Sequence, residues 1–161
     1  MIVAPRKGEH LYERTQTLPF PLEQVFPFFA DPYNLERITP PFLRFQVLSS
    51  TTESIAEGTL LDYRLRLRGL PIRWRTNIAL WEPPYRFIDE QLRGPYKVWV
   101  HEHTFQDLGD QTRMTDRIRY AVPGGALVNR LFVRPDVERI FQYRSENIVA
   151  AMEEALLVEA A

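Results

Sequence analysis

Apolar and polar residues alternate with a period of two along much of this chain, which is the signature of half-buried strands. Seven runs carry it: His10–Leu18, Phe42–Ser49, Leu60–Arg68, Ile72–Trp81, Arg86–Leu92, Lys97–Gln106 and Thr112–Val122. The period changes in two places. LEQVFPFF, Leu22 to Phe29, predicts a short helix in spite of Pro27, and Asp31 with Pro32 behind it can cap a second one through Ile38. From Val137 onward, Val137, Ile140, Phe141, Ile148, Met152 and Ala155 recur at three- and four-residue steps, one face of a long helix. Pro135 suits its opening, and Leu127–Val133 predicts a shorter helical piece before it.

The 13 prolines punctuate rather than cluster, because proline gives no N–H to a ladder and fixes φ. Gly109-Asp110 marks a hairpin. Short connections favour antiparallel neighbours. The order is strand, two short helices, six strands, long helix. It predicts an α+β domain over residues 1–161: a curved seven-stranded antiparallel sheet wrapped around the C-terminal helix. A twisted sheet closed by one helix tends to leave a pocket.

Composition narrows the function classes. With 20 basic and 21 acidic residues the net charge is -1, so no global field favours nucleic acid. There is no cysteine, which removes disulfides, thiol catalysis and thiolate metal sites. No apolar run approaches a membrane span, and MIVAPRKGEH lacks the core of a signal peptide. A cytoplasmic protein, monomer or homodimer, without stable membrane insertion, is the expectation.

Two stretches carry a resemblance: Asp31 to Pro41 (DPYNLERITPP) and Gly94 to Phe105 (GPYKVWVHEHTF), followed by IFQYR in the last helix. With the element order, they make the chain similar to the Bet v 1-like superfamily, also called START/polyketide cyclase-like or SRPBCC, and within it to the small bacterial ligand-binding branch. The resemblance spans roughly Tyr12 to Leu156. It implies a helix-grip fold around a hydrophobic cavity. It implies no single reaction, since such relatives bind lipids, sterols or hormones and some cyclise polyketides.

Strand alternation sorts the faces. Trp99, His101, His103 and Phe105 share one, with Glu102 on the other. Met114, Asp116, Ile118 and Tyr120 turn inward on the next strand, and Phe87, Asp89 and Gln91 on the one before. Leu61, Tyr63, Leu65 and Leu67 face in, as do Trp74, Thr76 and Ile78. Tyr12, Arg14, Gln16 and Leu18 fall on one side of the first strand, and Arg144 on the apolar stripe of the long helix. The candidate ligand-binding residues are therefore Tyr63, Trp74, Phe87, Asp89, Gln91, Trp99, His101, His103, Phe105, Asp116, Tyr120, Phe141 and Arg144.

The histidine pair admits three uses. Cα atoms ~7 Å apart on one strand face allow both rings to reach one ion. The only other histidine is His10, so no metal and no cofactor is assigned. A pair Asp89–His101 or Asp116–His103 could act as a general base. Alternatively His103 with Asp116, and Arg144 with Asp89, are salt-linked features of the wall. The reading adopted is binding of a small, largely apolar ligand, lipid-, sterol- or polyketide-like, with a polar or anionic end at Asp89, His101, His103 or Arg144. The alternative is a cyclase or dehydratase using a cavity histidine. The short helices and Pro40-Pro41 should rim the entrance. Outside, Arg64, Arg66, Arg68, Arg73 and Arg75 form a stripe read as a solvated face.

Overall fold

In the computed structural model, which describes residues 4–161, the first strand β1 (His10–Leu18) leads into α1 (Leu22–Ala30) and α2 (Asn34–Arg37). Six strands follow: β2 (Gln46–Ser50), β3 (Leu60–Leu67), β4 (Leu70–Glu82), β5 (Arg86–Arg93), β6 (Val98–Asp107) and β7 (Thr112–Ala121). The chain ends in α3 (Gly125–Val128), a π-helical turn (Asn129–Val133) and α4 (Arg134–Ala160). All seven strands form one antiparallel sheet in the order β1-β7-β6-β5-β4-β3-β2. The first strand thus pairs with the last, and α1 and α2 bridge from β1 to the far edge at β2. This is the curved antiparallel sheet and long helix that the pattern predicted, and the helix-grip fold that the resemblance implied, with α4 against the sheet.

Several details differ from the sequence expectation, each for a local reason. Asp31 Oδ1 accepts the N–H of Tyr33 at 3.0 Å, closing a turn two residues on, so the second helix keeps only Asn34–Arg37. Pro41–Leu43 makes a single 3₁₀ turn, and Arg44 adopts a left-handed φ of 46°. The strand expected from Phe42 therefore starts at Gln46, and Phe42 lies exposed. The two C-terminal helical pieces join through the π turn, just where Pro135 has no N–H to give the Leu131 carbonyl. In β4 a bulge between Ile78 and Leu80 shifts the alternation. It sends Trp81 inward, 5.2 Å from the ring of Phe26 and 5.4 Å from that of Phe87.

Burial follows the period-two pattern and separates the interior into three apolar groups. Leu18, Val25, Phe26, Phe29, Phe105, Met114, Ile148 and Met152 join α1 and the C-terminal half of α4 to the sheet. Tyr12, Ile118, Tyr120, Val137 and Phe141 hold the N-terminal half of α4 on β1 and β7. Val47, Leu61, Tyr63 and Ile78 form a third group on β2–β4. Each fully buried side chain here, such as Ile118 or Ile148, contributes about 1.5–3 kcal/mol. The third group belongs to strands and is not fused with the α4 groups. Between them the sheet stands off the helix.

Candidate functional site

The space between sheet and helix is a cavity of about 150 Å³, roughly ten times what one buried water requires. It is largely apolar, with the polar groups on one side. β3 and β4 supply Leu61, Tyr63, Leu65, Leu67, Trp74, Thr76 and Ile78, and α4 supplies Val137, Ile140, Phe141 and Arg144. Phe29, Pro32, Leu35, Thr39 and Leu43 close it from the α1–α2 side. That places residues of the short helices and of the segment around Pro40 on the cavity wall.

The polar side is built by three neighbouring strands. In register, His101 faces Asp89 of β5 and His103 faces Asp116 of β7. The hydrogen bonds, however, run diagonally. His101 Nε2 donates to Asp116 Oδ1 at 2.7 Å, and His103 Nε2 donates to Asp89 Oδ2 at 2.7 Å. The expected direct pairs, Asp89–His101 and Asp116–His103, are the longer contacts, at 3.8 Å and 3.2 Å, and neither is a hydrogen bond. Sheet twist and the length of imidazole carry each ring past its opposite residue to the diagonal one. The rings stack on each other with centroids 3.7 Å apart, and Phe87 stacks on His103 at 4.0 Å. The sandwich fixes both rings.

Charge within this quartet is unevenly shared. Burial opposes charge on all four groups, and the partners decide the outcome. Asp116 and Asp89 are held below the ordinary carboxylate range: burial raises them, but the attraction of His101 and His103 at Asp116, and of His103 and His101 at Asp89, wins. His101 is pushed down by burial and by the neighbouring His103. His103 is raised, since its interactions with Asp116 and Asp89 outweigh burial. Two stacked cations are unfavourable, so the pair divides into one imidazolium and one neutral ring. Asp89, His101 and His103 also bring a carboxylate oxygen and two ring nitrogens within 4.8 Å of one another. With Asp116 behind His101, that donor set could hold a divalent ion.

Arg144 completes the wall. Its expected partner Asp89 is hydrogen-bonded to His103, and Arg144 acts on that carboxylate only through its charge, which helps hold it low. Its guanidinium carbon instead lies 4.7 Å from the ring centre of Phe141, and Nε and Nη1 are buried without an acceptor among the described residues.

Not every residue named from the sequence reaches the cavity. Tyr63, Trp74, Phe87, Asp89, Trp99, His101, His103, Phe141 and Arg144 line it. Gln91 does not: it brackets Tyr96, donating to its carbonyl and accepting its N–H, and so shapes the β5–β6 turn. Phe105 packs among Phe26 and Phe29. Tyr120 is fully buried and donates to Asn129 Oδ1 at 2.9 Å. Asp116 stands behind His101. Arg14 and Gln16 clamp α4 from the edge strand, through Gln142 and the Ser145 carbonyl. Tyr96 lines the cavity from a turn, where alternation carries no information. Leu35 and Thr39 do so from non-periodic segments.

On the outer face Glu102 is directed away from the histidines, as alternation requires, yet is only 4% exposed, with Arg86 Nη1 3.5 Å away. The arginine stripe is partly neutralised. Arg75 grips Asp62, Arg64 donates to Gln46, and Arg68 reaches Asp136 and the Phe132 carbonyl. Arg66 and Arg73 stay exposed. No described helix is long and apolar enough to cross a membrane.

The fold recurs in solved structures at low identity. TTHA0849 from Thermus thermophilus is 19% identical, aligned over 94% of this chain and 100% of its own, with a TM-score of 0.65. A START superfamily protein from Mycobacterium smegmatis is 13% identical over 91% of this chain and 99% of its own, with a TM-score of 0.67. The Zhui aromatase/cyclase from Streptomyces sp. R1128 is 18% identical over 89% and 91%, with a TM-score of 0.62. No curated protein matches the chain. A family model described as polyketide cyclase / dehydrase and lipid transport matches residues 18–149, and the chain belongs to that family.

Proposed function

We propose that this protein binds a small hydrophobic or amphipathic molecule between α4 and the sheet. The observation that carries the reading is the cavity itself: a preformed, largely apolar space with a few convergent polar groups at one side, the usual form of a small-molecule site. A lipid-, sterol- or polyketide-like molecule suits such walls. The test is a fluorescence titration, since Trp74 and Trp99 line the cavity and report occupancy directly. A panel of lipids, sterols and polyketide-like aromatics should give a saturable, one-to-one change for at least one class. Leu65→Trp, which fills the cavity, should abolish it. No response from any class, or an unchanged response in the filled variant, overturns the reading.

One observation favours a second reading, turnover of a polyketide-like substrate. His101 and His103 both face the cavity and each is oriented by a carboxylate, the arrangement of a positioned general base. Replacing both by Gln separates the two: a binding protein keeps ligand, whereas a cyclase or dehydratase loses turnover.

A further inference from the structure

Besides its tyrosines, the cavity wall carries four ionisable side chains: Asp89, His101, His103 and Arg144. Three are already engaged. Each histidine donates through Nε2 to a carboxylate at 2.7 Å, and Asp89 is one of those carboxylates. The guanidinium of Arg144 has no such arrangement. One face of it is covered by Phe141, while Nε and Nη1, shut off from solvent, reach no acceptor among the described residues. A guanidinium is always charged and carries five donors in a rigid fork, so buried donors without acceptors are costly. The Phe141 ring packs against the guanidinium and restrains it before any ligand arrives. A carboxylate, planar with two oxygens, matches one edge of that fork, Nη2–H together with either Nε–H or Nη1–H.

Charge limits the head group further. The guanidinium of Arg144 brings to the cavity one positive charge whose buried donors lack an acceptor among the described residues. Tyr63 and Tyr96, also on the wall, are pushed up by burial and stay neutral. One negative charge can be neutralised there; two cannot, and an excess buried charge is strongly disfavoured. Beyond the head, Leu61, Leu65, Trp74, Ile78 and Ile140 offer an apolar wall.

Building on the cavity as a binding site, we propose that its ligand is a monocarboxylic amphiphile, with the acid group received by Arg144 and the apolar body lying along β3 and β4. The head-group site is thus on the helix, facing the same cavity as the histidine pair.

Matched probes test this: decanoic acid, decanol and decyl phosphate, below their aggregation limits at pH 7.5, titrated against tryptophan fluorescence in the wild type, Arg144→Gln and Arg144→Lys. The wild type should bind the acid about tenfold or more tightly than the alcohol, the scale of one charge-assisted contact. Arg144→Gln should erase that preference while alcohol binding stays within about twofold, and Arg144→Lys should retain part of it. Equal affinity for acid and alcohol in the wild type overturns the head-group assignment and leaves the cavity reading standing. So does a preference that survives Arg144→Gln, or phosphate binding as tightly as carboxylate. Failure of the acid to bind the wild type likewise overturns the head-group assignment, and the cavity reading falls with it only if the lipid, sterol and polyketide-like panel also gives no response. The acid-to-alcohol ratio in the wild type decides the matter even if a variant folds poorly.

Discussion

Asp116→Asn removes one charge from the quartet and almost no volume. In the wild type Asp116 accepts the His101 Nε2 hydrogen at 2.7 Å and lies 3.2 Å from His103 Nδ1, with its side chain nearly sealed from solvent. Asparagine can still accept from His101, so the hydrogen bond survives without its charge. What is lost is the difference between a charge-assisted and a neutral bond, together with half of the carboxylate support for the His103 imidazolium. That amounts to about 1.5–3 kcal/mol. It stays below the roughly 3–5 kcal/mol of a broken buried ion pair, since His103 can release its proton. The pH dependence follows from the two shifts. The Asp116 carboxyl is lowered in the fold, so its stabilisation is present above its unfolded value of 3.8 and disappears as pH falls through the folded value. His103 is raised, so its stabilisation is full below 6.5 and disappears as pH rises through the folded value. His101 is lowered by burial and by His103, both of which the substitution leaves in place. The gap between wild type and variant should therefore be widest from about pH 4 to 6.5 and narrow on both sides. Urea denaturation of both proteins from about pH 3 to pH 9 measures it. A gap below about 0.5 kcal/mol throughout, or one independent of pH, would refute the assignment of charge within the quartet.

Further perturbations separate core from surface. Ile148→Ala, in the apolar group that joins α4 and α1 to the sheet, should lose about 2–5 kcal/mol in denaturant melts, because the side chain is 1% exposed and its removal leaves a cavity. Tyr120→Phe removes the buried donor to Asn129 and should lose about 1–3 kcal/mol by the same assay, leaving an acceptor unsatisfied beside the π turn. Arg66→Glu with Arg73→Glu should change stability by no more than about 0.5 kcal/mol each and leave ligand titrations unaltered. A lost pull-down of an acidic partner would instead make the outer face an interaction surface.

Strand alternation made most of the fold legible, because a single-sided core imposes it on every strand from β1 to β7. It also placed Asp89, His101 and His103 on one wall, and a helical stripe turned Arg144 toward the same cavity. It could not choose partners. Direct cross-strand neighbours looked like the obvious pairs, whereas twist and ring length made the diagonals the bonded ones. Nor could it see Trp81, which a bulge turns inward, or Tyr96, which enters from a turn. The fates of Gln91, Phe105 and Tyr120 show a related blindness. Facing inward is a property of a strand, but facing a cavity depends on where α1 and α4 fill the interior and where they do not. The burial of Glu102 on the outer face likewise depends on the arginines around it rather than on its own strand.

The central claim is that the space between α4 and the sheet holds a ligand. Native mass spectrometry of the freshly purified protein, before and after incubation with the lipid, sterol and polyketide-like panel, tests it most directly. The account predicts a one-to-one organic adduct that disappears on denaturation and fails to form on Leu65→Trp. A bare protein mass under every condition, or an adduct equally abundant on the filled variant, would contradict it.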